Sequence, residues 1–213
     1  MDHSRLPLRV WFFTAFMMQS KVSVRENLYL TASTMKLRGI VELDEVYVTA
    51  GFKGKKGFRR RSRLRGLKRR GRGTYAVDKP PILRVVERKG LVRLIPMADV
   101  ATRTVLRRLF KTFNLEDVEA LYTDDYPAYN AVRSLSRNET VNHSLGEYAR
   151  GKVHTNTVEA EFSIFRPWNA TFRGYSKEKL HLYTAHYNFL RNNRHLNRTQ
   201  RTLTMLIPKA PKS

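Results

Sequence analysis

The sequence predicts an α/β protein: a mixed sheet of about five strands flanked by helices. Three observations carry this. Three β-branched, apolar runs open the chain as a meander. Helical and strand-like patterns alternate after them. The chain has 213 residues, of which 41% are hydrophobic, enough to bury one substantial core.

The elements follow in order. Residues 10–18, VWFFTAFMM, are strongly apolar but too short to span a membrane. Arg5 and Arg9 precede them as in a secretory signal, yet polar Gln19-Ser20-Lys21 follows where small residues would mark cleavage. A core helix is the favoured reading. Residues 41–49, VELDEVYVT, read as a strand with Asp44 inside it. Ile82–Arg88 and Leu91–Met97 read as two strands joined at Lys89-Gly90. Thr102–Phe113 reads as a helix, with Val105, Leu106, Leu109 and Phe110 on one face. Val118–Thr123 is a strand ending at Asp124-Asp125, and Pro127 starts a short helix to about Leu135. Glu139–Asn142 is one more strand. Asn156 to Trp168 is helical, with Pro167 helping to end it. Ser176–Asn192 is a second helix, capped by Ser176 and striped with Leu180, Tyr183, Tyr187 and Leu190. The tail after Arg194 is basic and expected to fray.

Charge narrows the function. Forty-one Lys and Arg against 18 Asp and Glu give a net charge of +23. A globular chain this basic calls for a polyanion, nucleic acid before an anionic membrane surface. The absence of cysteine excludes disulfides, thiolate nucleophiles, iron–sulfur clusters and cysteine zinc sites. Residues 53–74 hold twelve Lys or Arg and five Gly, which predicts a basic loop or arm rather than a core element. Its cations are Lys53, Lys55, Lys56, Arg59, Arg60, Arg61, Arg63, Arg65, Lys68, Arg69, Arg70 and Arg72. Half of them meeting phosphate would already make binding strongly salt-dependent. The loop lacks the apolar face that membrane anchoring needs.

In so basic a chain the acids stand out. Asp44 lies within an apolar strand, where an edge-strand charge explains it poorly. Asp124 ends the fourth strand, although Asp124-Asp125 before Pro127 also suits a plain turn. Glu159 lies in the first turn of a helix, and with Asn156 three residues earlier it also fits a capping box. If the first and fourth strands are neighbours under that helix, the three acids converge. Carboxylates around a pair of divalent cations roughly 4 Å apart would activate water for in-line phosphoryl displacement. Oxygen ligands suit Mg²⁺ or Mn²⁺. Asn156, Glu159, Ser163 and Arg166 share one helix face, beside an apolar face of Val158, Phe162 and Phe165. Arg166 is thereby placed to touch DNA phosphate, although a basic residue near a helix C-terminus also suits the dipole.

Several strings together resemble a known family: VELDEVYV around Asp44, GRGT at Gly71–Thr74, LYTDDYPAY around Asp124, VNHSLGEYARGKVHTNTVEAEFSIFR at 141–166 and FRGYSKEKL at 172–180. They are similar to prokaryotic insertion-sequence transposases with the ISXO-type domain, of the DDE superfamily. The resemblance covers roughly residues 40–192, most specifically 141–166. It implies an RNase H-like fold, with Asp44 and Asp124 as the two family aspartates. The third active-site position is Glu or Asn in that family, followed by a basic residue. Asn156 and Glu159 both offer it here, with Arg166 as the basic partner. Glu159 is preferred because a charged carboxylate holds a divalent cation better than an amide does. His143 and His154 lie in family-like strings as supporting residues that orient a carboxylate or contact DNA, or as structural histidines.

The resemblance implies binding of element ends, Mg²⁺- or Mn²⁺-dependent strand cleavage at a two-metal site, strand transfer to target DNA and a homo-oligomer on DNA. Relatives carry an N-terminal zinc ribbon that a cysteine-free chain cannot build, so a shortened copy without zinc is expected. Three segments result: an N-terminal helical remnant of a DNA-binding segment at 1–40, a catalytic domain at 41–192 and a basic tail at 193–213. The expected location is the prokaryotic cytoplasm, at the nucleoid. The competing readings are a remnant that binds DNA without cutting it, and a basic RNA-binding protein with aromatics for base stacking.

Overall fold

The computed structural model describes residues 23–32, 35–48, 50, 79–124, 138–141 and 156–206, with residues 8, 11 and 12; for Asp124, Asn156 and 138–141 the description is of the backbone. Most of the apolar run at 10–18, the basic segment 53–74 and the helix expected after Pro127 lie outside these residues.

The elements are α1 (Val24–Ala32), β1 (Leu37–Tyr47), β2 (Pro81–Glu87), β3 (Val92–Pro96), α2 (Thr102–Thr112), β4 (Phe113–Asp124), β5 (Asn138–Val141), α3 (Asn156–Ala170), a 3₁₀ turn (Lys177–Lys179), α4 (Leu180–Asn192) and α5 (Arg198–Leu206). The five strands form one sheet in the order β3-β2-β1-β4-β5. β1 pairs antiparallel with β2, and β2 antiparallel with β3, which is the expected meander. β1 pairs parallel with β4, and β4 parallel with β5. This mixed order is the RNase H-like one.

Helices cover both faces. On one, Val105 and Leu109 of α2 pack with Leu43, Leu83, Val85 and Leu121. On the other, Val158 and Phe165 of α3 and Leu180 and Tyr187 of α4 pack with Val46, Ile82, Val86 and Leu94. β2 lies between neighbours on both sides, so Pro81 to Val86 are all buried and its sequence runs apolar without alternating. Arg84 is the exception in that run and requires a partner, described below.

The C-terminal region departs from expectation in four places. Pro167 does not end α3, which continues to Ala170. Trp168 packs against Phe165, Phe172 and Tyr187 and holds that last turn in the core. The chain then reverses at Arg173 and Gly174, both with positive φ. Ser176 makes no side-chain cap; a 3₁₀ turn precedes α4 instead. The tail is not frayed from Arg194: α5 follows, capped reciprocally by Asn197 and Gln200 through backbone N–H bonds of 3.1 and 2.9 Å. Finally, the buried face of α4 holds Thr184, Asn188 and Asn192 beside Leu180, Ala185 and Tyr187, whereas Leu190 is only half-buried.

Those asparagines close the sheet. Among the described residues β3 is an edge strand, with no strand beside its outward amide groups at Val92 and Leu94. Asn192 accepts from Val92 N–H at 2.8 Å and donates to its carbonyl at 2.9 Å. Asn188 does the same for Leu94, at 2.9 and 3.2 Å. Two carboxamides one helical turn apart thus stand in for a sixth strand, and Pro96 has no N–H to offer beyond them. Asn188→Ala should cost about 1–3 kcal/mol, because it strands a buried donor and acceptor. Chemical denaturation checks the loss, and light scattering checks for the edge-to-edge aggregation expected of Asn188→Ala/Asn192→Ala.

α3 and α4 are joined through a buried acid that the helical pattern did not single out. Glu161 is 4% exposed and takes a bidentate pair of bonds from Arg191, at 2.6 and 2.7 Å, and a third from the Tyr187 hydroxyl. The Glu161 bond holds the Arg191 guanidinium above its ordinary pKa, and burial beside this carboxylate pushes the Tyr187 hydroxyl up.

Candidate active site

The site starts from two adjacent parallel strands. Glu42 pairs with Tyr122, and Leu43 with Thr123. Asp44 and Asp124 are the next residue on each strand, so they occupy neighbouring positions where the β1–β4 ladder ends. Convergence of the first and fourth strands, expected from the order of elements, is therefore realised.

Asp44 has a specific environment. Its register partner on β2 is Arg84, and the two side chains form an ion pair. The Arg84 side chain is 5% exposed and that of Asp44 is 21% exposed. The pair neutralises a cation inside an apolar strand while leaving the carboxylate within reach of solvent. Arg84 also donates to the Val158 carbonyl of α3 at 3.2 Å and lies 4.8 Å from the Phe162 ring centre. One guanidinium thereby ties β2, the aspartate on β1 and the start of α3.

Glu42, two residues before Asp44 and on the same face of β1, does more. It is fully buried. Its Oε2 accepts from the backbone N–H groups of Thr157 and Val158, at 2.9 and 3.0 Å. These are first-turn donors of α3, without acceptors inside the helix. For these two groups the cap comes from strand β1, and a carboxylate there also suits the positive end of the helix dipole. Its Oε1 accepts from Arg88 Nε at 2.6 Å, and the Arg88 guanidinium lies 4.5 Å from the ring centre of Tyr122 on β4. Glu42, Arg88 and Tyr122 thus link β1, the β2–β3 turn and β4 immediately before the two aspartates.

The consequence is positional. Glu42 and Arg84 fix the first turn of α3 against β1 and β2, next to Asp44, and that turn carries Asn156 and Glu159. Glu159, Ser163 and Arg166 are exposed along one side of α3, whereas Val158 and Phe165 are buried, as the spacing predicts. The Arg166 guanidinium lies over the Phe162 ring, 4.3 Å from its centre. His143, His154 and the loop cations from Lys53 to Arg72 lie outside the described residues. Sequence reasoning missed Glu42, Arg84, Arg88 and Glu161. For Glu42 a signal existed: it shares a strand face with Asp44, so one strand points two acids at the same layer.

Among the described residues no three His, Asp or Glu side chains form a ready metal cluster. The donor chemistry nonetheless fits a hard cation. The candidate ligands at 44, 124 and 159 are all carboxylates, and the Asp44 side chain stays 21% exposed beside its buried Arg84 partner.

A mixed sheet in the order β3-β2-β1-β4-β5, with helices on both faces, defines the RNase H-like class of α/β fold. Within it, the chain belongs to the ISXO2-like transposase domain family, whose pattern matches residues 36–192. It is 34% identical, over 212 residues, to an uncharacterized protein in transposable element ISH50 of Halobacterium salinarum, covering 89% of this chain and 71% of the relative. A solved structure, a pre-cleavage Mos1 transpososome, aligns at 12% identity and a TM-score of 0.29, over 86% of this chain and 60% of that one.

Proposed function

We propose that this chain is an insertion-sequence transposase that binds the ends of its element, cleaves DNA strands with a divalent metal and joins them to target DNA. The observation that supports the reading is the neighbouring register of Asp44 and Asp124 on adjacent parallel strands, with the first turn of α3 fastened to β1 and β2 by Glu42 and Arg84. A turn needs no such bracing, and a capping box needs no acid on β1.

Asp44 and Asp124, with Glu159 as third ligand in preference to Asn156, would hold Mg²⁺ or Mn²⁺. When bound, such ions activate water and stabilise the charge of phosphoryl transfer. The chain's own residues prepare the place. Arg84 orients Asp44 and balances its charge. Glu42 holds α3 in register, so that residue 159 keeps its distance from the strands. Arg166 and the cations from Lys53 to Arg72 would hold backbone phosphate, and His143 and His154 would support the carboxylates or DNA. The segment before residue 41 would serve end recognition. Two ends must be held together for transfer, so a homo-oligomer on DNA is part of the proposal, with the nucleoid as its location.

The test is strand cleavage on labelled DNA carrying the element's ends, with Mg²⁺ or Mn²⁺ and with chelator. Metal-dependent nicking at the ends supports the reading. Tight binding without cutting under any metal would leave the DNA-binding remnant, and preference for RNA would favour the third reading.

A further inference from the structure

A second basic feature lies away from the acids. Along the outer edge of β3, between α2 on one face of the sheet and α4 on the other, is a cleft of about 440 Å³. Arg93, Arg108, Lys111, Lys177 and His181 line it, and Glu178 is the one acid among its lining residues. These cations come from three elements and the 3₁₀ turn, so the clustering is a product of the fold and not of a basic run. Arg93 is 9% exposed and is held in place by the carbonyls of Met35, at 2.5 Å, and Lys111, at 3.1 Å. Burial, and the neighbouring charge of Arg108, lower its pKa. Concentrating like charges in a half-enclosed space costs stability, and a bound anion would relieve that cost. The edge itself is closed to a β-strand partner, because Asn188 and Asn192 occupy its outward amides.

We infer that this cleft is a phosphate-binding site that grips the DNA backbone at a point separate from the acid cluster. Leu94, one of its lining residues, pairs with Arg84, which pairs with Asp44. Two strand spacings, about 10 Å, therefore separate Leu94 from Asp44, and the cleft lies at the outer side of β3, within reach of the same DNA duplex. The inference rests on the DNA-binding part of the proposed function but not on cleavage.

The experiment measures binding of the full chain to a labelled duplex across a salt series, in chelator, so that cleavage plays no part. Arg108→Ala/Lys111→Ala should weaken binding about tenfold at low salt and flatten the slope of log K against log salt by about 2. Arg103→Ala/Arg107→Ala removes the same charge from exposed positions of α2 outside the cleft, and should flatten it by less than about 1. Arg108→Gln/Lys111→Gln, which keeps the side-chain stems and relieves the like-charge crowding, should repeat the loss in a chain whose melting temperature is not lowered. Equal effects from the Arg108/Lys111 and Arg103/Arg107 pairs would overturn the inference in favour of diffuse charge. Inorganic phosphate provides the remaining arm. If it raises the melting temperature of the parent chain, but not of the variant, without competing for DNA, the cleft takes a free oxyanion and the DNA assignment fails.

Discussion

Asp44→Asn and Asp124→Asn should each reduce metal-dependent strand cleavage by about a thousandfold or more, while DNA binding persists. The substitution is nearly isosteric but removes the charge that would hold a divalent cation. Asp44→Asn carries a second consequence. Arg84 is buried and loses its anionic partner, although its bond to the Val158 carbonyl and its contact with Phe162 remain. A modest loss of stability is expected for Asp44→Asn, read by denaturant melts. Asp124 has its own check: its variant should lose cutting to the same extent. Cleavage surviving in either variant would remove that aspartate from the mechanism.

Glu42→Ala should be the most destabilising single change near the site. It leaves Arg88 without its buried anion and two first-turn N–H groups of α3 without acceptors. Removing one partner of a buried, bonded charge pair costs about 3–5 kcal/mol. Against a typical total of about 5–15 kcal/mol, this is large enough to lower the melting temperature by many degrees. Glu42→Gln keeps the shape and one acceptor oxygen, so it should remain folded. It should still cut more slowly, because the first turn of α3 is held less firmly, while its DNA affinity stays near that of the parent. Parent-like cleavage by folded Glu42→Gln would mean that the carboxylate's charge plays no part in positioning α3.

Which parts of this arrangement were legible beforehand follows from what each signal depends on. The meander and the helices follow from local periodicity, and β1 begins only four residues before the expected start, at Leu37 in place of Val41. Asp44 was legible because an acid within a β-branched run is locally anomalous. Asp124 was legible as an acid at a strand end, with a turn as its competing reading. Arg84 and Glu42 were not legible in their roles. Their partners lie 40 or more residues away, and only the register of β1 against β2 and the seating of α3 bring them together. Asn188 and Asn192 were hidden for a related reason. A helical stripe is read from Leu and Tyr, whereas these buried positions are polar because they face a bare strand edge. The charge of the tail suggests solvation and fraying, but the Asn197–Gln200 box starts a further helix whose end buries Leu206.

Residues 44, 124 and the first turn of α3 would together surround one metal centre. Fe²⁺ tests it directly, since iron in a Mg²⁺ site, with ascorbate and peroxide, releases hydroxyl radicals that cut the polypeptide nearby. Fragments are expected to end close to residues 44, 124 and 156–159, to be suppressed by excess Mg²⁺ and to be absent in Asp44→Asn. Cuts that cluster elsewhere on the chain, or that are indifferent to Mg²⁺ and to Asp44→Asn, would contradict it.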